Sequence, residues 1–575
     1  MSEQRFTIGI DLGTTHTAMA SASLETPDAK VSVFDVPQLV AAGSVEARSL
    51  LPSFLYFAHE SDAPLALPWA THDYAVGEFA RARAAEAPGR VVSSAKSWLS
   101  HAGVDRRSPL LPVTAAADIE KISPVEASFR YLDHLGEAFR SAHQGQLSLG
   151  EQEVVLTVPA SFDAAARDLT VEAAYAAGLE NVTLLEEPQA ALYAWIEAHG
   201  EAFRTHLKPL DVVLVIDIGG GTTDFSAIAL LENQGSLELH RVAVGDHILL
   251  GGDNMDLLLA AVVRNKLRDA GTELDAWQMT SLSQACRAAK EQLLAENPPE
   301  SVPIVIPSRG SQLLGQSIRT ELLRQEVERV ILDGFFPGVE LAAKPTQRQR
   351  AGLAQLGLPY ASDPAITKHL AHFLTRQAGA LANLPGFPAA SELLRPTSVL
   401  FNGGVVKSQA IRGRLLACLN QWLEASGAPP IRVLPGEDPD LAVARGAAYY
   451  GKVRRGRGLR IRGGTARAYY VGIESPMPAI PGLEPPISAL CVAPFGMEEG
   501  SQTELPKHEL GVIVGEPVEF RFFGSSVRRG DSAGTLLEHG KSGELEELSP
   551  IGMTLVAEGR QKGEFVPVHL RASVT

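Results

Sequence analysis

The chain has 575 residues, of which 45% are hydrophobic and 21% are charged, and its formal net charge is −16 at pH 7. This length is too great for a single hydrophobic core, so we expect at least two domains. The negative charge argues against a protein built to coat nucleic acid or an anionic membrane. We therefore expect neither of them among its partners.

The three cysteines, Cys286, Cys418 and Cys491, lie far apart in the sequence and show no metal-ligand spacing. Such cysteines are typical of reduced structural thiols. The N-terminal residues MSEQRF do not begin a signal peptide, and no apolar run has the length of a membrane span. These features predict a cytoplasmic protein.

A strand, an acid, a glycine turn and two threonines open the sequence as FTIGIDLGTT. The apolar run predicts a buried strand that ends at Asp11. Glycine permits positive φ and close backbone approach, so N–H groups around Gly13 can face one anion. The hydroxyls of Thr14 and Thr15 add donors, whereas the Asp11 carboxylate suits a hydrated Mg²⁺.

The same arrangement returns as VVLVIDIGGGTTD, residues 212–224. Here the strand ends at Asp217, three glycines form the turn, and threonines and Asp224 follow. One such turn is weak evidence, because an ordinary hairpin would explain it. Two copies in the same order predict a duplicated domain whose two hairpins clamp one polyphosphate.

The region between the hairpins predicts a helix and then a strand. SFDAAARDLTVEAAYAAGL favours a helix capped by Ser161 or Asp163 and ended by Gly178. VTLLEEP favours a strand that leads to Glu187, with Pro188 ending the pairing. The order of strands and helices repeats along the chain, which predicts two mixed α/β lobes with a cleft between them.

With these motifs in place, the sequence resembles the seventy-kilodalton heat-shock chaperones, which belong to the actin-like ATPase superfamily. The resemblance covers most of residues 5–452, and its most specific part is VVLTVPASFDAAARDLTVEAAYAAGLENVTLLEEPQAALYAW. SLLPSFLYF, VGEFARARAAEAPGRVVSSAKSWLS, LGGDNMD, ACRAAKEQLL, FNGGVVKS and GEDPDLAVARGAAYYG also resemble family motifs. The resemblance implies an α/β fold, namely a two-lobed actin-like (ribonuclease-H-like, duplicated) ATPase domain. It also implies Mg²⁺-dependent ATP hydrolysis with bound ATP or ADP, and K⁺ as a further ion.

The resemblance also implies catalytic and metal-binding roles. Lys96 would contact the γ-phosphate and the attacking water, and Glu187 and Asp224 are alternatives for orienting that water. Asp11 and Asp217 would hold Mg²⁺ through waters, and Asp217 and Thr222 would belong to the catalytic group. Without the resemblance, Lys96 could be a solvated lysine and Glu187 a surface ion pair. The two strand-end aspartates are harder to explain in this way, because burying an acid without a partner is costly.

Binding and allosteric roles follow from the same resemblance. The proline switch would be Pro159, and the arginine that senses it would be Arg167. The nucleotide would be bound by Gly13, Thr14, Thr15, Gly219, Gly220, Gly221, Thr222, Gly251, Gly252, Lys290, Gly403, Gly404, Lys407 and Asp440.

Several positions depart from the family pattern. Arg287 stands where a glutamate is usual, Leu294 where a serine is common, and Lys407 where an arginine stacks on adenine. These changes leave hydrolysis plausible and the base specificity open. His16 stands where the family usually has asparagine, and we expect it to lie near the phosphates without a catalytic role.

The sequence predicts three regions. Residues 1–452 form the nucleotide-binding ATPase domain, with an insertion at about 333–373 that is either a small surface subdomain for a partner or a passive elaboration. Residues 453–465 are a basic, glycine-rich linker, for which a hinge is a better interpretation than a nucleic-acid contact. Residues 466–575 are β-patterned and predict a small sandwich in the place of the family's substrate-binding domain. The chain stops in a strand-like pattern, so we expect the natural sequence to continue.

Three functions remain open from the sequence. The first is an ATP-driven chaperone-like protein that binds an unfolded or specific client polypeptide, with a co-chaperone and a nucleotide-exchange factor as further partners. The second is a nucleotide-gated scaffold or regulator with one dedicated protein partner, which the lack of the family's apolar-acidic linker favours. The third is a small-molecule kinase of the same fold. The catalytic set of Lys96, Glu187 and Asp217 favours the first, and Pro159 and Arg167 argue against the third.

Overall fold

The structure is a computed structural model. It describes residues 4–26, 29–101, 103–233, 236–295, 297–306, 317–346, 357–382, 384–388, 391–436, 438–456, 461–462, 465, 467–474, 487–497, 501–505, 510–538, 544–548, 550–554 and 561–573. Within these ranges, no helix is both long enough and apolar enough to cross a lipid bilayer.

The first lobe contains the N-terminal hairpin at the centre of a mixed sheet. Its strands are β1 (Phe6–Leu12), β2 (His16–Ser23), β3 (Ser32–Val33), β4 (Val36–Ala41), β5 (Ser44–Arg48), β6 (Leu51–Pro52), β7 (Leu55–Phe57), β8 (Leu65–Ala66), β9 (Thr71–His72), β10 (Tyr74–Val76), β11 (Val91–Val92), β12 (Glu153–Val158) and β13 (Val182–Glu186). The main sheet has the order β13-β12-β1-β2-β3, and β6 also pairs with β2. β1 is parallel to β12 and antiparallel to β2.

The second lobe repeats this arrangement. Its strands are β14 (Val212–Ile218), β15 (Thr223–Asn233), β16 (Ser236–Val244), β17 (Ser301–Ile306), β18 (Ile318–Leu323), β19 (Ser398–Asn402), β20 (Arg432–Val433) and β21 (Ile461–Arg462). The order β20-β19-β14-β15-β16 matches β13-β12-β1-β2-β3 strand for strand, and β21 adds one more strand at the edge. The predicted duplication is therefore confirmed at the level of sheet topology.

Helices flank both sheets. They are α1 (Glu78–Arg83), α2 (Ala95–Leu99), α3 (Pro124–Ala142), α4 (Ala164–Ala176), α5 (Glu187–His199), α6 (Phe203–His206), α7 (Gly252–Asp269), α8 (Ala276–Leu293), α9 (Arg324–Phe335), α10 (Ile366–Arg376), α11 (Gln409–Ala425) and α12 (Ala442–Arg454). Of the two predicted caps of α4, the structure uses Asp163, whose Oδ1 accepts the Ala166 N–H at 2.7 Å. The chain turns back just beyond this helix at Gly178, where φ is +77°.

Each lobe has its own core, and α5 and α12 pack between them. The first-lobe core includes Ile10 and Trp98, and the second-lobe core includes Ile216 and Leu259. α5 and α12 meet at very short range: a Cβ added to Gly446 of α12 would overlap the Ala190 carbonyl of α5. A Cβ added to Gly9 of β1 would likewise overlap the Ala444 carbonyl oxygen. Glycine is needed at these contacts because one backbone lies directly on another.

The prediction that residues 333–373 form a surface subdomain is wrong for α10. Ile366, Leu370 and Leu374 of α10 are fully buried in the second-lobe core. Their spacing of four residues places them on one face of the helix, which explains the burial. Residues 347–356 lie outside the described ranges. The insertion as a domain boundary remains a prediction.

The segment after residue 452, which was predicted to be a hinge, is partly packed against the rest of the protein. α12 continues to Arg454, and Arg455 Nε donates to Glu153 Oε2 at 2.6 Å. Ile461 is buried and pairs in parallel with Leu239 at the edge of the second-lobe sheet. Part of this basic run therefore packs against the two lobes, although it lacks the apolar-acidic sequence of the family that the chain resembles.

The described part of the C-terminal region is rich in strands, which pair in antiparallel fashion. They are β22 (Ala468–Glu474), β23 (Ile487–Ala493), β24 (Gln502–Glu504), β25 (Leu510–Ile513), β26 (Pro517–Phe520), β27 (Phe522–Ser525), β28 (Leu536–Glu538), β29 (Glu546–Glu547), β30 (Ile551–Thr554), β31 (Phe565–Val568) and β32 (Arg571–Ser573). Five of them form the sheet β28-β23-β22-β27-β29, and the other six form the pairs β24-β32, β25-β31 and β26-β30. A two-layer sandwich remains a prediction.

The C-terminal sheet contacts the second lobe through two arginines. Arg529 Nη2 donates to Gln377 Oε1 at 2.9 Å, and its guanidinium lies 4.1 Å from the centre of the Phe495 ring. Arg467 Nη2 lies 3.8 Å from Asp246 Oδ1. Burial lowers the pKa of Arg529 to about 10, because the guanidinium is shielded from water at this contact.

Candidate active site

A cleft of about 1150 Å³ opens between the two lobes, and both hairpin turns line it. Most of the predicted binding and catalytic residues line this cleft: Asp11, Gly13, Thr14, Thr15, Lys96, Glu187, Asp217, Gly219, Gly220, Thr222, Gly252, Lys290, Gly403, Gly404, Lys407 and Asp440. The lining of the cleft does not include the predicted residues Gly221, Gly251, Asp224, Pro159 and Arg167. The cleft therefore brings together residues from distant parts of the chain.

The two hairpin turns lie directly against each other. A Cβ on Gly220 would overlap the Thr15 side chain, and a Cβ on Gly221 would lie 2.7 Å from Thr14 Cγ2. The second turn also lies under the start of α7, where a Cβ on Gly251 would lie 2.6 Å from the Gly219 carbonyl oxygen. These glycines leave space for backbone N–H groups to face a ligand, as an oligophosphate site requires.

Two aspartates stand at corresponding positions at the ends of β1 and β14. Burial raises the pKa of Asp11 to about 7, against the opposing effect of Lys96. Burial and the nearby Glu187 raise the pKa of Asp217 to about 8. Asp11 accepts from Thr157 Oγ1 at 3.3 Å and Asp217 from Asn402 Nδ2 at 2.7 Å. The site is therefore rich in carboxylates that lack full compensation by positive charge.

This excess of carboxylate fits a hydrated divalent cation. Mg²⁺ is typically held by one or two carboxylates, several waters and the phosphates of a nucleotide. Among the described residues, no group of three or more His, Cys, Asp or Glu side chains could hold a metal ion by itself. Asp11 and Asp217 would thus supply the protein's share of the ligands, through waters.

Asn402 is a site residue that the sequence reasoning missed. It ends β19 directly beside Asp217 in the parallel register, and its amide donates to Asp217 Oδ2. The available signal was a polar residue at the end of a buried strand, immediately before Gly403. Gly403 has φ of +87°, and a Cβ there would overlap the Ile218 carbonyl oxygen.

Lys96 and Glu187 form an ion pair on the floor of the cleft. Their side chains are only 9% and 12% exposed, which removes the interpretation of a solvated lysine and a surface ion pair. Burial opposes the charged form of Lys96, but Glu187 and Asp11 outweigh it and raise the lysine pKa. Burial raises the pKa of Glu187 against the attraction of Lys96. A charged ammonium is therefore fixed beside an acid that gains a proton readily.

Asp224 belongs to a small cluster behind the cleft wall. Ser161 Oγ donates to Asp224 Oδ1 at 2.5 Å and lies 2.8 Å from His247 Nδ1. Burial would raise the pKa of Asp224, but His247 and Ser161 outweigh it and lower the pKa. Ser161 therefore binds Asp224 instead of capping α4, and His247 is a second neighbour that the sequence reasoning missed.

Arg287, one of the departures from the family pattern, lies at the far end of the cleft. Arg287 pairs with Asp253, and its Nε donates to Asp256 Oδ2 at 2.9 Å. Lys290 lies 2.6 Å from Asp256 Oδ1 and donates to the Gly252 carbonyl at 2.9 Å. The guanidinium is thus neutralised by its own lobe rather than presented as a free charge to a ligand.

One further lysine and one histidine also line the cleft. Lys407 pairs with Asp440. His16 also lines the cleft, and burial lowers its pKa to about 4. An imidazole with so low a pKa is neutral at pH 7 and adds no positive charge to the cleft.

Arg167, the predicted sensor of Pro159, binds the loop that follows this proline. Arg167 donates to the carbonyls of Ala160 at 3.1 Å and Phe162 at 3.2 Å, in the loop after Pro159. It also donates to Glu186 Oε1 at 3.0 Å. Glu186 in turn pairs with Arg241 of β16 in the second lobe. Arg167 therefore connects the Pro159 loop to the residue that precedes Glu187 and, through it, to the other lobe.

Comparisons with known proteins point to one family. The family model described as Hsp70 protein matches residues 59–340. The chaperone protein HscA of Cronobacter sakazakii is 33% identical over 301 residues, which are 50% of this chain and 42% of that protein. The HscA of Xenorhabdus nematophila is 34% identical over 278 residues, 46% of this chain and 38% of that protein. The chain thus spans less than half the length of these relatives.

The duplicated sheets and the cleft between them define a two-lobed protein of the actin-like ATPase fold. Within that fold class, the matched motifs and relatives are those of one family. Over residues 59–340 the chain matches the Hsp70 family, and it resembles a divergent member of that family.

Proposed function

We propose that the chain binds MgATP in the interlobe cleft, hydrolyses it, and couples its nucleotide state to polypeptide binding by the C-terminal β region. The observation that carries this proposal is the meeting of Lys96, Glu187, Asp11 and Asp217 where the two hairpin turns face each other. The relatives named chaperone protein HscA support the same function.

The residues divide the chemistry of hydrolysis among them. Phosphoryl transfer depends mainly on positioning and on stabilisation of charge. Lys96 stands as a fixed positive charge for the γ-phosphate and for the attacking water. The hydroxyls of Thr14, Thr15 and Thr222 and the glycine N–H groups bind the phosphates. Mg²⁺, when bound, neutralises charge on the phosphate oxygens.

The proton of the attacking water needs an acceptor nearby. Glu187 is the better candidate, because it lines the cleft and burial raises the pKa of its carboxyl, which makes it a stronger proton acceptor. Asp224 lies behind the wall with a lowered pKa, which suits a fixed negative charge that orients other groups. We therefore assign the water to Glu187.

Client binding is supported by the surface of the C-terminal region. Ile513, Leu536, Ile551 and Phe565 are large apolar side chains that are exposed there. Exposed apolar surface of this kind is typical of sites that bind other polypeptides. The client, a co-chaperone, a nucleotide-exchange factor, K⁺ and a cytoplasmic location remain predictions.

The test is single-turnover ATP hydrolysis by the purified chain, with and without an unfolded polypeptide. Lys96→Ala should still bind ATP but should hydrolyse it about 10²–10³ times more slowly. Lys266→Ala is the matched control, because Lys266 also pairs with an acid, Glu326, but lies outside the cleft. The unfolded polypeptide should raise the rate of the wild type.

The alternatives predict different results. Tight ATP binding with no hydrolysis in any of the three proteins would support a nucleotide-gated scaffold instead. Equal hydrolysis by the wild type and Lys96→Ala would remove the assignment of Lys96. Transfer of phosphate to a small molecule rather than to water would support a kinase.

A further inference from the structure

The segment before α10 crosses from the second lobe to the first. Residues 357–361, which we call the interlobe strap, are fixed on the second lobe by Ala361, whose N–H donates to the Leu249 carbonyl at 3.1 Å. Just beyond it, the buried Asp363 accepts from Ala365 N–H at 3.0 Å and pairs with Lys368 at 2.9 Å. The base of the strap is therefore anchored.

The other end of the strap lies on the first lobe. The half-buried Leu358 packs against the first-lobe core, the cluster that includes Trp98 and Leu99. The Gly357 carbonyl lies 3.1 Å from Nε2 of the buried His101. His101 Nδ1 accepts the Gly103 N–H at 3.0 Å, so the ring hydrogen is on Nε2 and is donated to Gly357. One apolar contact and one hydrogen bond thus join the lobes here.

The strap meets the first lobe at the end of the helix that carries Lys96. α2 has five residues, and a helix so short does not hold its position by its own hydrogen bonds. Its position must therefore come from contacts. His101 follows it by two residues and stacks on Trp98 with the ring centres 5.6 Å apart. The strap reaches His101 of this stacked pair from the opposite lobe through the Gly357 carbonyl.

We infer that the interlobe strap, through Leu358 and His101, positions the Lys96 helix when the lobes are together, so that closure of the cleft and placement of Lys96 occur as one event. His101 and Leu358 are positioning residues, because neither lines the cleft. This inference rests on the proposed function, since it assigns Lys96 to the phosphate.

The test compares Leu358→Ala with Leu341→Ala in the full chain. Both leucines are half-buried and lie between α9 and α10, but Leu341 packs against the second-lobe core and Leu358 against the first. Leu358→Ala should release a fluorescent ADP analogue about fivefold faster and hydrolyse ATP about fivefold more slowly in a single turnover. Leu341→Ala should lower the unfolding temperature comparably, while both rates stay within about twofold of wild type.

A second pair of variants tests His101 without removing the leucine. His101→Phe keeps a flat ring against Trp98 but loses both nitrogens, and it should slow hydrolysis as Leu358→Ala does. His101→Gln keeps an amide donor for the Gly357 carbonyl and should recover most of the rate. Equal rates of ATP hydrolysis in His101→Phe and His101→Gln would overturn the role of the hydrogen bond between His101 and Gly357.

Amide hydrogen exchange over residues 95–104 in the nucleotide-free protein tests the strap independently of ATP. Exchange should be faster in Leu358→Ala than in Leu341→Ala or wild type. Unchanged exchange in Leu358→Ala, or equal effects of the two leucine variants on both rates, would overturn the inference. If the wild type binds no nucleotide, the proposed function fails, while the exchange result still decides whether the strap holds α2.

Discussion

The Tyr193 hydroxyl accepts the Ile461 N–H at 2.7 Å. Tyr193 belongs to α5, whose first residue is Glu187, and Ile461 belongs to β21, within the basic run of residues 453–465. The helix that begins at the proposed catalytic glutamate therefore also holds the segment that leads towards the C-terminal sheet. This hydrogen bond gives a direct physical link between the cleft and the connection between the two parts of the molecule.

Tyr193→Phe should loosen this segment. The change removes the acceptor of the Ile461 amide and leaves the ring packing in place, at a cost of about 1 kcal/mol, so the amide should exchange about fivefold faster. Amide hydrogen exchange at Ile461 measures this change in rate. Tyr175→Phe is the control, because Tyr175 is exposed on α4. Equal exchange in both variants would contradict the link.

The adjacent glutamates Glu186 and Glu187 should respond differently to the same substitution. Burial would raise the pKa of Glu186, but Arg241 and Arg167 outweigh it and lower the pKa. Glu186→Gln leaves two arginines without their carboxylate and should lower the free energy of unfolding by about 3–5 kcal/mol. Urea denaturation measures this loss.

Glu187→Gln should instead affect the chemistry. It removes the proposed proton acceptor and should slow single-turnover hydrolysis by about 10²-fold or more, while the dissociation constant for ATP changes little. The two variants are controls for each other. A Glu187→Gln protein that unfolds as easily as Glu186→Gln and hydrolyses ATP normally would contradict both assignments.

Gly403→Ala should abolish tight nucleotide binding. Its φ of +87° is strained for alanine, and the new Cβ would lie 2.7 Å from Asp217 Oδ1. Displacement of Asp217 and backbone strain of about 1–3 kcal/mol should weaken ADP binding by about tenfold or more. Calorimetric titration measures this. Gly413→Ala in α11 meets no atom within 4 Å, and ADP binding should persist in that variant.

The buried His134 should make the protein sensitive to acid. Burial lowers its pKa to about 4, from about 6.5 for an exposed histidine, so the unfolded chain binds more protons between these pH values. The free energy of unfolding therefore rises with pH in this window and is lost as the pH falls towards 4. Between pH 7 and pH 5 the loss from His134 is about 2 kcal/mol.

His134→Gln tests this origin. Glutamine can still donate to the Pro37 carbonyl, which lies 2.9 Å from His134 Nε2, but it does not titrate. The difference in urea stability between pH 7 and pH 5 should shrink by about 2 kcal/mol. His59→Gln, a change at an exposed histidine, should leave the difference as in the wild type. An unchanged difference in His134→Gln would place the acid sensitivity elsewhere.

Local patterns predicted the parts of the fold that depend on neighbouring residues. The strands ending at Asp11 and Asp217 and the α4 helix after Asp163 all follow from apolar runs, turn glycines and capping chemistry. The duplication followed from two copies of one pattern. These features were predictable because each is decided within about fifteen residues.

Contacts between distant residues were not predictable in this way. His101 contacts Gly357, which lies 256 residues away in the sequence, and no local pattern predicts that contact. Ser161 was a reasonable helix cap until the fold placed Asp224 beside it. The burial of α10 was missed because the prolines and glycines of residues 333–373 read as surface loops, whereas Ile366 and Leu370 face the core.

The close packing of α5 against α12 has a mechanical consequence. Gly446 and Ala190 touch through backbone atoms, while Tyr193 of α5 lies 5.2 Å from Tyr450 of α12 between ring centres and Arg445 of α12 donates to Glu197 of α5 at 2.9 Å. The two helices are therefore joined both by backbone contact and by long side chains, and we expect them to move as one unit when the lobes move. A methyl group added at Gly446 would force the helices apart and disturb these side-chain contacts as well.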